Sequence, residues 1–134
     1  MDRDVLIAAT AAAVLSGAPS TLDTLRRGDD LLTSSRAAGA MVVGEGAPPV
    51  LQLAAALPVH AALSLGWTVV LAHTLPRRHT AVWGAAAGLG IAALDLGVVG
   101  RRMPAIARLP QPAQWLDHVA FGATVGAVLQ HRRP

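Results

Sequence analysis

From Gly46 to Pro76 the chain runs for 31 residues without Asp, Glu, Lys or Arg, and nothing else in the sequence restricts the fold as much. A helix rises about 1.5 Å per residue, so some twenty residues cover the roughly 30 Å of hydrocarbon in a bilayer. The run predicts a membrane-spanning helix over about 50–75. Pro58 lies inside it, where it deletes one backbone hydrogen bond and frees a carbonyl for a neighbouring helix or hydroxyl. His60, Ser64 and Trp67 follow at helical spacing, so they share a face just past that kink.

Three further runs have the same character. His79 to Gly100 holds 22 residues between the pairs Arg77–Arg78 and Arg101–Arg102, with Asp95 as its only acidic residue, and is expected to span over about 79–100. A shorter run over about 5–22 opens the chain behind Met1-Asp2-Arg3-Asp4, which lacks the net positive charge of a signal peptide and so reads as a retained helix. Its face Ala9, Ala12, Ala13, Ser16 is small enough for another helix to approach closely. The last run covers about 113–131, with Asp117 near its start as an expected exposed helix-start charge.

Between the first and second spans, Ser20 and Asp23 have a capping-box spacing and Gly28 is placed as a helix stop. A second short helix is expected over about 31–43 behind Asp29 or Asp30 as N-cap. Leu31, Ser35, Ala38 and Val42 fall on one face and Thr33 and Arg36 on the other, the pattern of an amphipathic helix lying at the membrane interface. Pro104, Pro110 and Pro112 forbid a long helix before the fourth span. The expectation is an all-α integral membrane bundle of four transmembrane helices with one interfacial amphipathic helix, forming a single domain over residues 1–134.

Composition agrees, with 53% hydrophobic residues, 14% charged and a mean hydropathy of +0.48, although the abundance of alanine keeps a soluble Ala-rich bundle as the alternative. All 11 basic residues are arginines, and they sit at the edges of apolar runs. That is a boundary pattern rather than a nucleic-acid-binding face. Arg3, Arg77, Arg78, Arg132 and Arg133 fall on one side and Arg26, Arg27, Arg36, Arg101, Arg102 and Arg108 on the other, so orientation stays open. The absence of cysteine excludes disulfides and thiol chemistry. The arginine and alanine usage suggests a bacterium, and with it the cytoplasmic membrane.

The candidate chemistry lies on glycine faces. At about 100° per residue, Gly84, Gly88 and Asp95 fall within roughly 40° of one another. A GxxxG pair in an apolar helix marks a protein-facing surface, so Asp95 should point inward. Gly122 and Gly126 repeat the spacing, and His118 stands four residues before Gly122, at about the depth of Asp95. If the two glycine faces meet, Asp95 and His118 meet. An ionisable residue within a membrane helix is costly and asks for a named partner. Here the pair would hold a group that takes and releases a proton near neutrality. Ser16, His60 and Ser64 are the remaining candidates for lining a polar pocket. The bland alternative caps Asp95 through Arg101 or Arg102.

No metal or cofactor is expected. His73, His79 and His131 lie at one boundary but lack short ligand spacing, and His60 and His118 lie at different depths, which disfavours haem ligation. Gly88, Gly90 and Ala93 match a dinucleotide fingerprint only formally, without the preceding strand. Three functions remain open. The first is a binding or transport module for a proton, ion or small polar ligand. The second is a membrane enzyme using the Asp–His pair on a lipid-like substrate. The third is an accessory subunit whose glycine faces pack against a second copy or another membrane protein. The bilayer is the one partner common to all three.

Overall fold

The computed structural model describes residues 2–132. Helix α1 runs from Arg3 to Leu15, α2 from Ala18 to Arg27, α3 from Thr33 to Val43, α4 from Pro49 to Thr74 and α5 from Thr80 to Leu94. A π-helical segment, Asp95–Val99, and a 3₁₀ turn, Gly100–Arg102, continue α5, and the short α6 (Pro104–Ala107) and the long α7 (Gln111–Arg132) complete the chain. The described residues contain helices and no strand.

Among the described residues three stretches are long and apolar enough to cross a membrane: Arg3–Arg27, Pro49–Thr74 and Thr80–Arg102. Only 17 to 28% of the residues in their apolar windows are buried, so these helices turn most of their apolar side chains outward. Val14, Val50, Leu57 and Val82 are each at least two-thirds exposed. α7, expected as the fourth span, is not among the three; it carries Asp117, His118 and several amides. Polar side chains are tolerable there because α7 is the hub, with α1, α2 and α5 all packed against it and Val125 and Leu129 fully buried.

The first run is broken rather than continuous to residue 22. α1 stops at Leu15, Ser16 and Gly17 turn, and α2 starts at Ala18 with Pro19 in its first turn, where a missing N–H is harmless. The capping box does not form. Gly17 is the N-cap, the Ser20 hydroxyl turns back to the Gly17 carbonyl (3.3 Å), and Asp23 pairs with Arg27 (2.8 Å). Gly28 ends α2 in the left-handed conformation, φ 70°, as its position after Arg26 and Arg27 predicts.

α3 begins at Thr33 rather than Leu31, because Asp30 uses its side chain to fold the approach, accepting from the Leu32 amide at 2.9 Å. The helix packs along the start of α4. Gly39 makes this possible, since a Cβ there would strike the Gln52 backbone, and Gln52 in turn donates to the Gly44 and Glu45 carbonyls. Ala37 and Gly39 are buried, whereas Leu31, Ser35 and Val42 face outward. The face carrying Leu31 and Val42 is therefore apolar but does not seat α3 on the protein.

α5 and α7 form the most extensive helix pair. At the chain-terminal end, Arg132 pairs with Asp4 at 2.6 Å and Gln130 accepts from the Ala81 amide at 3.2 Å, so a side chain satisfies one of the orphan N–H groups of α5. The opposite end is closed by a second apolar cluster of Ala37, Ala92, Leu96, Ile106 and Leu109, which joins α3, α5, α6 and the π segment.

Candidate functional site

The glycines of α5 and α7 lie directly against each other. A Cβ on Gly84 would meet the Gly122 carbonyl, one on Gly122 the Gly84 carbonyl, one on Gly88 the His118 carbonyl and one on Gly126 the Thr80 carbonyl. Backbone touches backbone at every one of these steps, and only residues without a Cβ allow it. Gly84, Gly88, Gly122 and Gly126 thus spend their exposed backbone on one another, and none of them is left free for a partner helix.

This contact brings Asp95 and His118 together. Asp95 Oδ2 lies 3.4 Å from His118 Nε2, with side chains 25% and 22% exposed, so the pair is sheltered but not sealed. Asp95 does not turn to Arg101 or Arg102. Its other partner is Trp67, whose indole Nε1–H donates to the same Oδ2 at 3.2 Å. On its far side, His118 Nδ1 stands 2.8 Å from the Gln114 carbonyl, one turn earlier in α7.

The proton bookkeeping follows from these contacts. A carbonyl only accepts, so His118 must donate through Nδ1–H to Gln114. In the neutral ring that leaves Nε2 as a lone pair facing a carboxylate oxygen, which is repulsive. A single proton in the gap resolves the conflict, either as imidazolium against carboxylate or as carboxylic acid against neutral imidazole. Trp67, which can only donate, holds the Asp95 carboxyl in place from the other side. The arrangement can hold one proton between Asp95 and His118, with each side chain oriented from its far side.

The backbone at Asp95 is also special. The α-helix ends here and the π segment begins, closed by a bond from the Gly100 amide to the Asp95 carbonyl. A Cβ on Gly100 would lie 2.8 Å from that carbonyl oxygen, so glycine permits the closure. Single-turn π segments within α-helices often accompany functional residues. The expected continuous helix over 79–100 is corrected accordingly: Asp95 sits at a junction in the span.

The other candidates do not join this cluster. His60 is exposed and donates from Nε2 to the Ala13 carbonyl at 2.9 Å, an orphan carbonyl of the last turn of α1. It therefore satisfies the break before α2. Ser64 and Ser16 are both buried; the Ser64 carbonyl takes the Thr68 hydroxyl at 2.7 Å and the Ser16 amide bonds to Ala12. Asp117 is not an exposed helix-start charge. It is half-buried and accepts the Ser20 amide at 2.9 Å, so a residue of α7 caps the first turn of α2.

Trp67 was legible only in part, as a residue sharing the face of His60 and Ser64. The π segment has a signal in hindsight, a glycine five residues after the lone aspartate. His73 bonds back to the Val69 carbonyl at 2.8 Å, and among the described residues no three His, Asp or Glu side chains gather to hold a metal ion.

These features define the class: an all-helical protein with three apolar helices of membrane-spanning length and a sheltered Trp–Asp–His cluster at the meeting of two glycine faces. The chain matches no protein-family model, no curated protein and no solved structure.

Proposed function

We propose that this chain is a proton-handling membrane module, a bundle of four spans in which α7 is the fourth and α3 lies at the interface with Leu31 and Val42 toward lipid. The observation that carries the reading is the arrangement around His118, with Nδ1 committed to a carbonyl and Nε2 facing the Asp95 carboxylate, which has room for one proton and a need for it. The outward-facing apolar side chains of α1, α4 and α5 support a membrane setting over a soluble bundle, because water would penalise so much exposed apolar surface. The accessory-subunit reading relied on unoccupied glycine faces, and the engagement of those faces with each other supports the proton reading over it.

The bound species is the proton itself, taken up from one side and passed on as Asp95 and His118 exchange partners. The test is reconstitution into liposomes with a trapped pH dye, driven by a potassium diffusion potential. Wild-type protein should carry protons. Asp95→Asn, which keeps the shape and a hydrogen-bond acceptor for Trp67, should abolish the flux while the helical circular dichroism is retained. Equal flux from both proteins removes the proposal.

A further inference from the structure

A second site lies outside the Asp–His cluster, where α3, α6 and the turn before α4 meet. Two adjoining cavities of about 240 and 260 Å³ open there and share Ala37, Ala40, Glu45 and Ala105 as common walls. Arg36 and Arg108 line the first and Arg102 the second, so three guanidinium groups border one groove. Arg102 is the last residue of an apolar stretch long enough to cross a membrane, which sets the groove at the level where a span ends.

The charges are arranged for an anion. Arg36 is paired with Asp30, and Arg108 with Glu45 at 2.9 Å, each through a single Nη2 contact. A guanidinium has five N–H donors, so although Arg36 Nη2 also reaches the Thr33 hydroxyl at 3.5 Å, both arginines keep N–H groups free to donate to a phosphate. Glu45 would repel an anion, but its oxygens already accept from Arg108 and from the Ala105 amide. The walls between the arginines are apolar: Met41 and Met103 in one cavity, Leu109 in the other. Val42 and Val50, at the end of α3 and the start of α4, are 70% and 78% exposed, which continues the apolar surface beyond the groove.

We propose that this groove binds the phosphate-bearing headgroup of an anionic phospholipid. The arginines take the phosphate, and the apolar walls take the glycerol and the first part of the acyl chain. Basic pockets between helices at a membrane boundary recognise such headgroups through this combination of charge and apolar surface. A free phosphate shares the anionic chemistry but has no use for Met41, Met103 and the exposed valines. The inference rests on membrane insertion and is independent of proton handling.

The experiment uses the full chain purified in detergent with equal amounts of phosphatidylglycerol and phosphatidylcholine, and native mass spectrometry counts the retained lipid. Wild-type protein should keep phosphatidylglycerol in preference. Arg36→Gln combined with Arg102→Gln should lower its retention by at least about tenfold, since each lost charge-assisted hydrogen bond is worth about that factor. Arg77→Gln with Arg78→Gln, on the opposite side, should change nothing. Glu45→Gln should raise retention by removing the competing charge; because it removes no arginine, it carries the test even if the double variant misfolds. Unchanged retention in the Arg36/Arg102 double variant overturns the proposal. So does a fall in Glu45→Gln, or displacement of the lipid by an equal concentration of inorganic phosphate. Proton flux in liposomes should be the same for Glu45→Gln and wild type, which separates failure here from failure of the proton reading.

Discussion

Adding one methyl group at Gly88 should disable the Asp–His cluster from a distance of two helical turns. A Cβ there would lie 2.9 Å from both the His118 carbonyl carbon and Val119 Cα, with the His118 carbonyl oxygen closer still, whereas ordinary van der Waals contact begins near 3.4 Å. All three obstacles are backbone atoms, so no side chain can swing aside and, with the carbonyl oxygen at 2.2 Å, α7 must retreat by about an ångström. The Asp95 to His118 gap already stands at 3.4 Å, at the long end for any hydrogen bond, and the retreat would carry it out of range. We expect Gly88→Ala to destabilise the protein by about 1–3 kcal/mol, the usual penalty of overpacking. It should also abolish proton flux.

Gly90→Ala is the internal control, being the same change on the same helix. Nothing lies within 4 Å of its Cβ, and the substitution removes a helix-disfavouring glycine. It should be neutral, or stabilising by up to about 1 kcal/mol. Reversible unfolding of both variants in mixed detergent micelles, followed by circular dichroism, measures the difference. Equal stabilities would refute the claim that backbone contact at Gly88 seats α7.

Two more perturbations probe the ends of the bundle. Asp117→Ala should cost about 0.5–2 kcal/mol in the same unfolding assay, because the Ser20 amide loses the carboxylate that caps α2. Asp117→Asn retains an acceptor oxygen and should lose less; a reversed order would mean that Asp117 acts otherwise. The contact between Glu45 and α6 should weaken in acid. Arg108 beside Glu45, helped by the Ala105 amide, holds its carboxyl below the ordinary value of 4.5. A depressed carboxyl contributes its stabilisation above that ordinary value and loses it as pH falls through the lower, folded-state value. Hydrogen-exchange protection of the Ala105 amide should therefore decline below about pH 4.5 in the wild type and stay flat in Glu45→Gln; a flat wild-type profile would contradict this assignment.

The sequence alone determined the helical class, three of the apolar stretches and the direction in which Asp95 points. Helix periodicity and uncharged run length act locally, and they are read directly from residue order. The wheel placing Gly84, Gly88 and Asp95 together needs only the 100° step of a helix, and GxxxG spacing marks which face a neighbour can approach. Gly28 as a helix stop was legible for the same reason, since left-handed backbone favours glycine wherever it occurs.

What periodicity could not supply is which groups satisfy which orphan donors and acceptors. Asp117 caps a helix 97 residues away, and His60 bonds to a carbonyl in the last turn of another helix. Trp67 reaches Asp95 although 28 residues separate them. Each of these contacts depends on how α1, α4, α5 and α7 are packed, because a buried polar group takes whatever partner the neighbouring helix presents. The π turn at Asp95 is decided the same way: Gly100 permits it, while the packing of Ile106 and Leu96 beside it holds the chain in that turn. The lone carboxylate was visible in the sequence, and the tertiary structure alone decided that it faces one imidazole and one indole.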